Sequence, residues 1–260
     1  MQTKKVKKLC LIPGNTQHIG FREEQQDAFF FSDFMDIQDI EINGVLAVLA
    51  DGMGGHDMGR IAASIAVATF ADKYCLSEPQ DTIPNRLIKA IKEANQAVGK
   101  LAVEANVDTG STLIAAVIKD GLLFWIGTGD SRIYLWANGP LIMLTNDFIY
   151  ARNLEKLLVE EHITENEAMN DPQRNYLSSY IGIRDNFNFE FCQTPVFLNQ
   201  GYKILMCSDG LFGTLSEAEI AEAMNFSPQE AADLLLAKTL EKNNPYQDNV
   251  TILIIGCEAL

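Results

Sequence analysis

The stretch Ala47–Ser64, AVLADGMGGHDMGRIAAS, constrains the fold more than any other part of the chain. An unbroken apolar run over Val45–Ala50 predicts a strand buried on both faces, and Asp51 follows it directly. After the glycines, small apolar residues predict a helix over Ile61–Tyr74. Because an unpaired buried carboxylate is costly, Asp51 either faces solvent as the cap of an ordinary strand–helix turn or has a cation bound to it. The glycines favour the cation, since they let the backbone approach a ligand closely.

Length and composition fit one globular domain over residues 1–260. The chain is 47% hydrophobic and 21% charged, and it shows no repeat, low-complexity segment or linker. Its net charge of −15 argues against non-specific nucleic-acid binding, which needs a basic surface, and is compatible with cation sites. We therefore expect no nucleic-acid partner.

The cysteines and the hydropathy indicate the cellular compartment. Five cysteines are scattered without a C-x-x-C pair, as expected for small core residues in a reducing compartment. No apolar stretch approaches the ~20 residues of a membrane span. We expect a cytoplasmic protein with no membrane partner.

The remaining patterns predict an α+β chain. Short turn-like links between Ser111 and Leu144 predict an antiparallel meander of four strands. Further strands are predicted at Leu9–Ile12, Asp27–Ser32 and Lys203–Cys207. Helices come in pairs between groups of strands, which indicates antiparallel sheets with helices on their outer faces.

Aspartates stand at the ends of several strongly apolar predicted strands. Asp51 is one of five such residues, and the others are Asp27, Asp130, Asp209 and Asp248. One aspartate at such a position is usually a turn residue, but five indicate convergence at one edge of the sheets. Clustered carboxylates repel one another unless cations neutralise them. Oxygen ligands without a His or Cys cluster favour Mg²⁺ or Mn²⁺.

Two such ions about 3.5–4 Å apart are the usual device for phosphoester hydrolysis, because they acidify a bridging water and clamp the phosphoryl oxygens. Asp51 is suited to bridge both ions, with the carbonyl of Gly52 as a backbone ligand. Arg22 is placed to offer two parallel hydrogen bonds to phosphate. The alternative for Arg22 is a surface ion pair with Glu23 or Glu24.

These residues, in this order, resemble the motifs of the metal-dependent Ser/Thr protein phosphatases of the type 2C (PPM) family in its bacterial form. The resemblance runs from about Gly20 to Ile255. Each match is weak alone, but the full set in order is specific. The matching segments are Arg22-x-x-Gln25-Gln26-Asp27, Ala50-Asp51-Gly52-Met53-Gly54-Gly55-His56, Gly110-Ser111-Thr112, Gly129-Asp130-Ser131-Arg132-Ile133-Tyr134, Leu144-Thr145-Asn146-Asp147, Ser208-Asp209-Gly210-Leu211 and Asp248-Asn249-Val250-Thr251.

The resemblance implies an α-β-β-α sandwich, in which two mainly antiparallel sheets are flanked by antiparallel helix pairs. It implies a flap subdomain at about 148–183, beside the active site, that influences substrate choice. It further implies a cytoplasmic signalling hydrolase, expected to be a monomer. Its substrates would be proteins phosphorylated by a Ser/Thr kinase.

The resemblance also implies a binuclear Mg²⁺ or Mn²⁺ site. Asp51, Asp209 and Asp248 would hold the first metal, and Asp51 with the Gly52 carbonyl would hold the second. Asp27 would support the second metal through water. A third, weaker site, described for bacterial members, would be formed by Asp130 with Asp209.

The reaction that the resemblance implies is direct attack of a metal-bridging hydroxide on the phosphorus of phosphoserine or phosphothreonine, without a phosphoenzyme. Asp51 and Arg22 are the residues that it assigns to catalysis, and Arg22 would bind the phosphate. His56 is a candidate proton donor. The alternatives for His56 are a turn residue or a structural hydrogen-bonding residue, with a metal-bound water as the acid instead.

The chain departs from the family pattern at several positions. Gln26 replaces a frequent Glu, which removes a negative charge near the second metal. Met53 stands where animal members have a His. Phe148 replaces the usual His after L-T-x-D, and Ser178-Ser179 replaces a Thr-Arg pair, so the contacts of the flap are expected to differ.

Two other functions fit the same residues less well. A non-catalytic member of this fold would bind a partner or sense a ligand, but such members lose their metal aspartates, which are present here. A phosphatase for a small phosphorylated metabolite or a cyclic-nucleotide-type ester is the other alternative. Metal titration and a comparison of phosphopeptides with sugar phosphates distinguish these readings.

Overall fold

The computed structural model describes residues 9–55, 58–78, 80–160 and 162–259. Its strands are β1 Leu9–His18, β2 Asp27–Phe31, β3 Val45–Gly54, β4 Thr109–Ser111, β5 Leu113–Lys119, β6 Leu122–Thr128, β7 Arg132–Trp136, β8 Leu141–Met143, β9 Glu190–Phe191, β10 Val196–Phe197, β11 Lys203–Cys207 and β12 Val250–Ala259. Its helices are α1 Ile37–Asn43, α2 Met58–Cys75, α3 Ile83–Ala105, α4 Ala151–Val159, α5 Glu165–Asn170, α6 Asp209–Phe212, α7 Glu217–Ala223 and α8 Pro228–Glu241.

The strands form two antiparallel sheets. One sheet has the order β1-β12-β11-β7-β8. The other has the order β10-β6-β5-β3-β2, with β4 also pairing with β3 and β9 with β6. Every strand pair is antiparallel.

The two faces of β3 show how the layers stack. Val45, Ala47 and Leu49 pack into the core between the two sheets. Leu46 and Val48 point the other way, into a core shared with α2 and α3. On the far side, α6, α7 and α8 cover the outer face of the β11–β12 sheet. The expected α+β fold, an α-β-β-α sandwich, is confirmed.

The predicted four-strand meander is wrong as a single unit. β5 and β6 pair in one sheet, whereas β7 and β8 pair in the other. The link between β6 and β7 therefore crosses the sandwich, and Gly129 adopts φ +90° there. The split buries the apolar face of each hairpin against the other sheet. It also places Asp130 on the crossing.

Three sequence patterns, Thr164-x-x-Glu167, Ser216-x-x-Glu219 and Ser227-Pro228-x-Glu230, are typical of helix starts. All three form capping boxes, at the starts of α5, α7 and α8. Helix α1 escaped prediction, since its seven residues are too few for a periodic pattern. Among the described residues, none of the helices combines the length and apolar character needed to cross a bilayer.

Candidate metal centre and active site

Strand pairing brings the first two aspartates face to face. In the β2–β3 ladder Asp27 is directly opposite Asp51. Both residues stand where the apolar part of their strand ends, so they share one end of the sandwich. The predicted convergence of these two carboxylates is thus a consequence of register.

Two hydroxyl residues hold the backbone of Asp51 from both sides. The Asp51 N–H donates to Thr112 Oγ1 at 2.9 Å, and the Thr112 N–H donates back to the Asp51 carbonyl at 2.8 Å. Ser111 Oγ donates to the same carbonyl at 2.8 Å. The break between β4 and β5, at Thr112, makes this clamp. The Gly110-Ser111-Thr112 motif gave a signal for these residues, but not for their role.

Asp27 is oriented by two further hydroxyls that sequence reasoning missed. Its Oδ2 accepts from Ser208 Oγ at 2.8 Å and from Thr251 Oγ1 at 2.6 Å. Its Oδ1 is buried without a hydrogen-bond partner. One oxygen of this carboxylate is therefore fixed by protein, while the other is available to a ligand.

The remaining aspartates line one cleft with Asp51. Asp209 opens α6 directly after β11, and Asp248 precedes β12. Together with Asp51 and Asp130, they line a cleft of about 1220 Å³. Gly52 also lines it, as expected for a backbone ligand.

The charges in the cleft repel one another strongly. Burial, and then the charges of the other four aspartates, raise the pKa of Asp51 well above its ordinary value. Burial also raises the pKa of Asp209 to about 7, with the charge of Asp130 as the next cause. Burial raises the pKa values of Asp27 and Asp130 to about 6 each. Arg22 lowers the pKa of Asp209 and Arg132 lowers that of Asp130, but burial and the neighbouring carboxylates outweigh both effects.

The donor set fits hard divalent cations. The side-chain donors are carboxylate oxygens, and the Oδ1 atoms of Asp27 and Asp209 are both buried without a hydrogen-bond partner. Among the described residues, no three His, Cys, Asp or Glu side chains already form a complete metal-binding group. Carboxylate oxygens are nevertheless the protein ligands that Mg²⁺ and Mn²⁺ prefer.

Arg22 makes neither of the surface pairs considered for it. Its Nη2 lies 2.5 Å from Asp248 Oδ2, while Glu24 pairs with Arg60. The Arg22 side chain is 57% exposed and lines the cleft. It is therefore near the carboxylates and still accessible to an incoming anion.

Asn249 holds the loop that carries Arg22 in place through its side-chain hydrogen bonds. Its Nδ2 donates to the carbonyls of Ile19 and Glu24, at 2.7 and 3.0 Å, and its Oδ1 accepts from the Gln26 N–H at 2.7 Å. The Asp248-Asn249 motif was the only sequence signal for this residue.

The glycine turn is governed by close packing. A Cβ on Gly52 would lie 2.1 Å from the Gly59 carbonyl oxygen and 2.7 Å from that of Gln26. Glycine is thus required there whether or not its carbonyl binds metal. Met53, at the position of the animal histidine, lines the cleft. His56, the candidate proton donor, lies outside the described residues.

The segment 148–183 borders the cleft and is tied to the core at both ends. The Phe148 N–H donates to the Gly129 carbonyl, and Ile181 bridges to Ser111. Between these anchors are α4 and α5. Tyr176 and Tyr180 of this segment line the cleft.

The chain is similar to known serine/threonine phosphatases. A family model described as protein phosphatase 2C matches residues 15–247. The serine/threonine phosphatase stp of Listeria innocua is 30% identical over 220 residues, covering 81% of this chain and 83% of that protein. The serine/threonine protein phosphatase PstP of Mycobacterium tuberculosis is 31% identical over 212 residues, covering 80% of this chain and 40% of that protein.

Solved structures share the fold over nearly the whole chain. A crystal structure of the Mycobacterium tuberculosis serine/threonine phosphatase PstP/Ppp gives a TM-score of 0.76 at 28% identity, covering 96% of this chain and 100% of that one. The PstP catalytic domain in complex with two manganese ions gives a TM-score of 0.73 at 27% identity, with the same coverage.

Proposed function

Because this chain belongs to the protein phosphatase 2C family, we propose that it is a metal-dependent phosphatase that hydrolyses phosphoserine and phosphothreonine in proteins. The observation that carries the proposal is the meeting of Asp51 with four other aspartates at one end of the sandwich. Arg22 stands beside them in an open cleft. Carboxylates in such a group need cations, and a cation pair with an arginine suits phosphoester hydrolysis.

The ligand roles follow from the motif matches. Asp51, Asp209 and Asp248 would hold one Mg²⁺ or Mn²⁺, and Asp51 with the Gly52 carbonyl would hold the other. Asp27 would act through water, which is supported by its free Oδ1. Asp130 with Asp209 would form the third, weaker site, and their proximity is supported by the charge of Asp130, which raises the pKa of Asp209.

A bound metal pair supplies an acidified water as the nucleophile and neutralises charge on the phosphoryl oxygens. The protein supplies the arrangement around it. Thr112 and Ser111 fix the backbone of Asp51, and Ser208 and Thr251 fix one oxygen of Asp27. Arg22 would bind the phosphate of the substrate with two parallel hydrogen bonds. His56 stays a candidate proton donor.

The segment 148–183 would serve as the flap within a single phosphatase domain. Its Tyr176 is 63% exposed and lines the cleft, so it is placed to contact residues around the phosphorylated side chain of a substrate. We further propose a cytoplasmic monomer that acts in signalling and reverses a Ser/Thr kinase.

The test is Mn²⁺-dependent hydrolysis of p-nitrophenyl phosphate and of a phosphothreonine peptide. Asp209→Ala should abolish most of the activity, whereas Asp72→Ala, at an exposed position on α2, should not change it. Absence of wild-type activity at millimolar Mn²⁺, or full activity in Asp209→Ala, contradicts the proposal. Faster hydrolysis of sugar phosphates than of peptides would favour a metabolite phosphatase instead.

A further inference from the structure

Arg132 joins several parts of the active-site region through one side chain. It lies on β7, two residues after Asp130. Its Nε donates to Asp147 Oδ1 at 3.0 Å and its Nη2 donates to Asp147 Oδ2 at 2.7 Å. Its Nη1 also donates to the hydroxyl of Tyr134 at 3.1 Å. The side chains of Arg132 and Asp147 are only 21% and 11% exposed, so this is not a loose surface ion pair.

The flat face of the same guanidinium rests on an aromatic ring. Its central carbon lies 3.7 Å from the centroid of the Phe212 ring. Phe212 is the last residue of α6, the short helix that begins with Asp209. Cation–π contact therefore links Arg132 directly to the element that presents Asp209.

Asp147 extends the connection to the other side of Asp130. The next residue, Phe148, donates its N–H to the Gly129 carbonyl at 2.8 Å. The loop that carries Asp130 is thus held by Arg132 on one side and by the chain after Asp147 on the other. The ion pair between Arg132 and Asp147 joins these two attachments of the loop.

This arrangement needs an arginine specifically. Only a planar guanidinium makes two parallel hydrogen bonds to a carboxylate while its flat face stacks on a ring. A simple structural ion pair between β7 and a loop would not need the contact with Phe212. The three contacts together span the two elements that carry Asp130 and Asp209.

We propose that Arg132 is a positioning residue that sets the distance between the carboxylates of Asp130 and Asp209, and hence the affinity for divalent cations held by Asp209. The proposal rests on the proposed metal-dependent function. Arg132 does not line the cleft, and it acts through Asp147 and Phe212. The two parallel hydrogen bonds to Asp147 fix the Asp130 loop, and the stacking on Phe212 fixes α6.

The experiment compares Arg132→Lys with wild type by Mn²⁺ titration calorimetry. The variant keeps the charge but loses the two parallel hydrogen bonds to Asp147 and the flat stacking on Phe212. At least one Mn²⁺ dissociation constant should therefore rise about tenfold or more. Phe212→Leu, which leaves the ion pair intact, should give a smaller rise. Arg184→Lys is the control, because Arg184 is exposed, does not line the cleft and should change no constant.

Kinetics supply the second readout. The Mn²⁺ concentration for half-maximal activity should rise in Arg132→Lys, while kcat at saturating Mn²⁺ stays within about threefold of wild type. Dissociation constants that all stay within twofold of wild type overturn the proposal, even if the melting temperature falls, because that pattern describes a structural ion pair. If Arg132→Lys does not fold, the constants of Phe212→Leu decide by the same criterion.

A failure of the proposed function would give a different result from a failure of the role of Arg132. Wild-type protein that binds Mn²⁺ but hydrolyses no phosphopeptide would contradict the phosphatase. The calorimetric comparison would still decide the role of Arg132.

Discussion

Replacing Thr112 by valine should show how strongly the metal centre depends on the clamp around Asp51. Thr112 is 2% exposed, and its Oγ1 accepts from the Asp51 N–H at 2.9 Å and pairs with Ser131 Oγ at 2.7 Å. Valine has nearly the same shape but no oxygen. The change therefore leaves a backbone N–H and a buried hydroxyl without these partners, at about 1–3 kcal/mol for each. We expect Thr112→Val to lower the free energy of unfolding by roughly 2–6 kcal/mol in total.

Thr239→Val separates this effect from the loss of any buried hydroxyl. Thr239 is fully buried on α8, and its Oγ1 donates to the Leu235 carbonyl in its own helix. The Leu235 carbonyl still accepts a backbone hydrogen bond within the helix, so it is not left without a partner. Thr239→Val should therefore lower the free energy of unfolding by less than about 1 kcal/mol. Urea unfolding in EDTA measures both variants, and Mn²⁺ calorimetry should show weaker binding for Thr112→Val alone. Equal losses in both variants, or unchanged Mn²⁺ affinity in Thr112→Val, would refute the reasoning.

Three other predictions follow from the charges in the cleft. First, the raised carboxyl pKa values should make the metal-free protein more stable as pH falls. The pKa of Asp209 is about 7 in the folded state, above its ordinary 3.8, so the folded state binds more protons and its penalty is relieved as pH falls through 7. In EDTA the melting temperature should rise as the pH is lowered from 8 to 5.5, and in saturating Mn²⁺ it should change less with pH. A melting temperature in EDTA that falls over this range would contradict the prediction. Second, Arg22→Ala should lower kcat/KM for a phosphothreonine peptide by about 10- to 100-fold, the value of a charged hydrogen bond. Its melting temperature should barely change, because the side chain is largely exposed. A large loss of stability with unchanged kcat/KM would assign Arg22 to the fold instead. Third, basic residues beside the phosphorylated residue should improve kcat/KM over acidic ones. Seven acidic residues, Glu23 and Asp108 among them, and a single arginine line the cleft among the described residues. Two divalent cations would not neutralise this lining. Equal rates at low salt for matched basic and acidic peptides would contradict it.

The sequence predicted the fold best where a pattern is local. The buried run before Asp51 did form a strand covered on both faces, because continuous apolar character has few other outcomes. The three capping boxes formed because their hydrogen bonds involve residues only three positions apart. Strand ends were less accurate: β1 runs on to His18 through residues that read as a polar loop. Its pairing with β12, which lies at the other end of the chain, decides that length.

The sequence also supplied the members of the site but little of their support. Five aspartates at strand ends indicated hard cations, and the structure brings all five together. The residues that hold them gave only weak signals. Ser208 and Thr251 orient Asp27 across separations of 181 and 224 residues, which no local pattern can report.

By itself, the sequence determined the chemical character of this protein: an acidic chain whose apolar strands end in oxygen ligands, in an order that marks a phosphatase family. Only the tertiary structure decided which groups touch. It showed that the β6–β7 link crosses between sheets, that Arg22 pairs with Asp248, and that Arg132 stacks on Phe212 while holding Asp147. The reason is physical. Periodicity and capping depend on neighbours a few residues away, whereas sheet order and long-range hydrogen bonds depend on how all the buried surfaces are satisfied together.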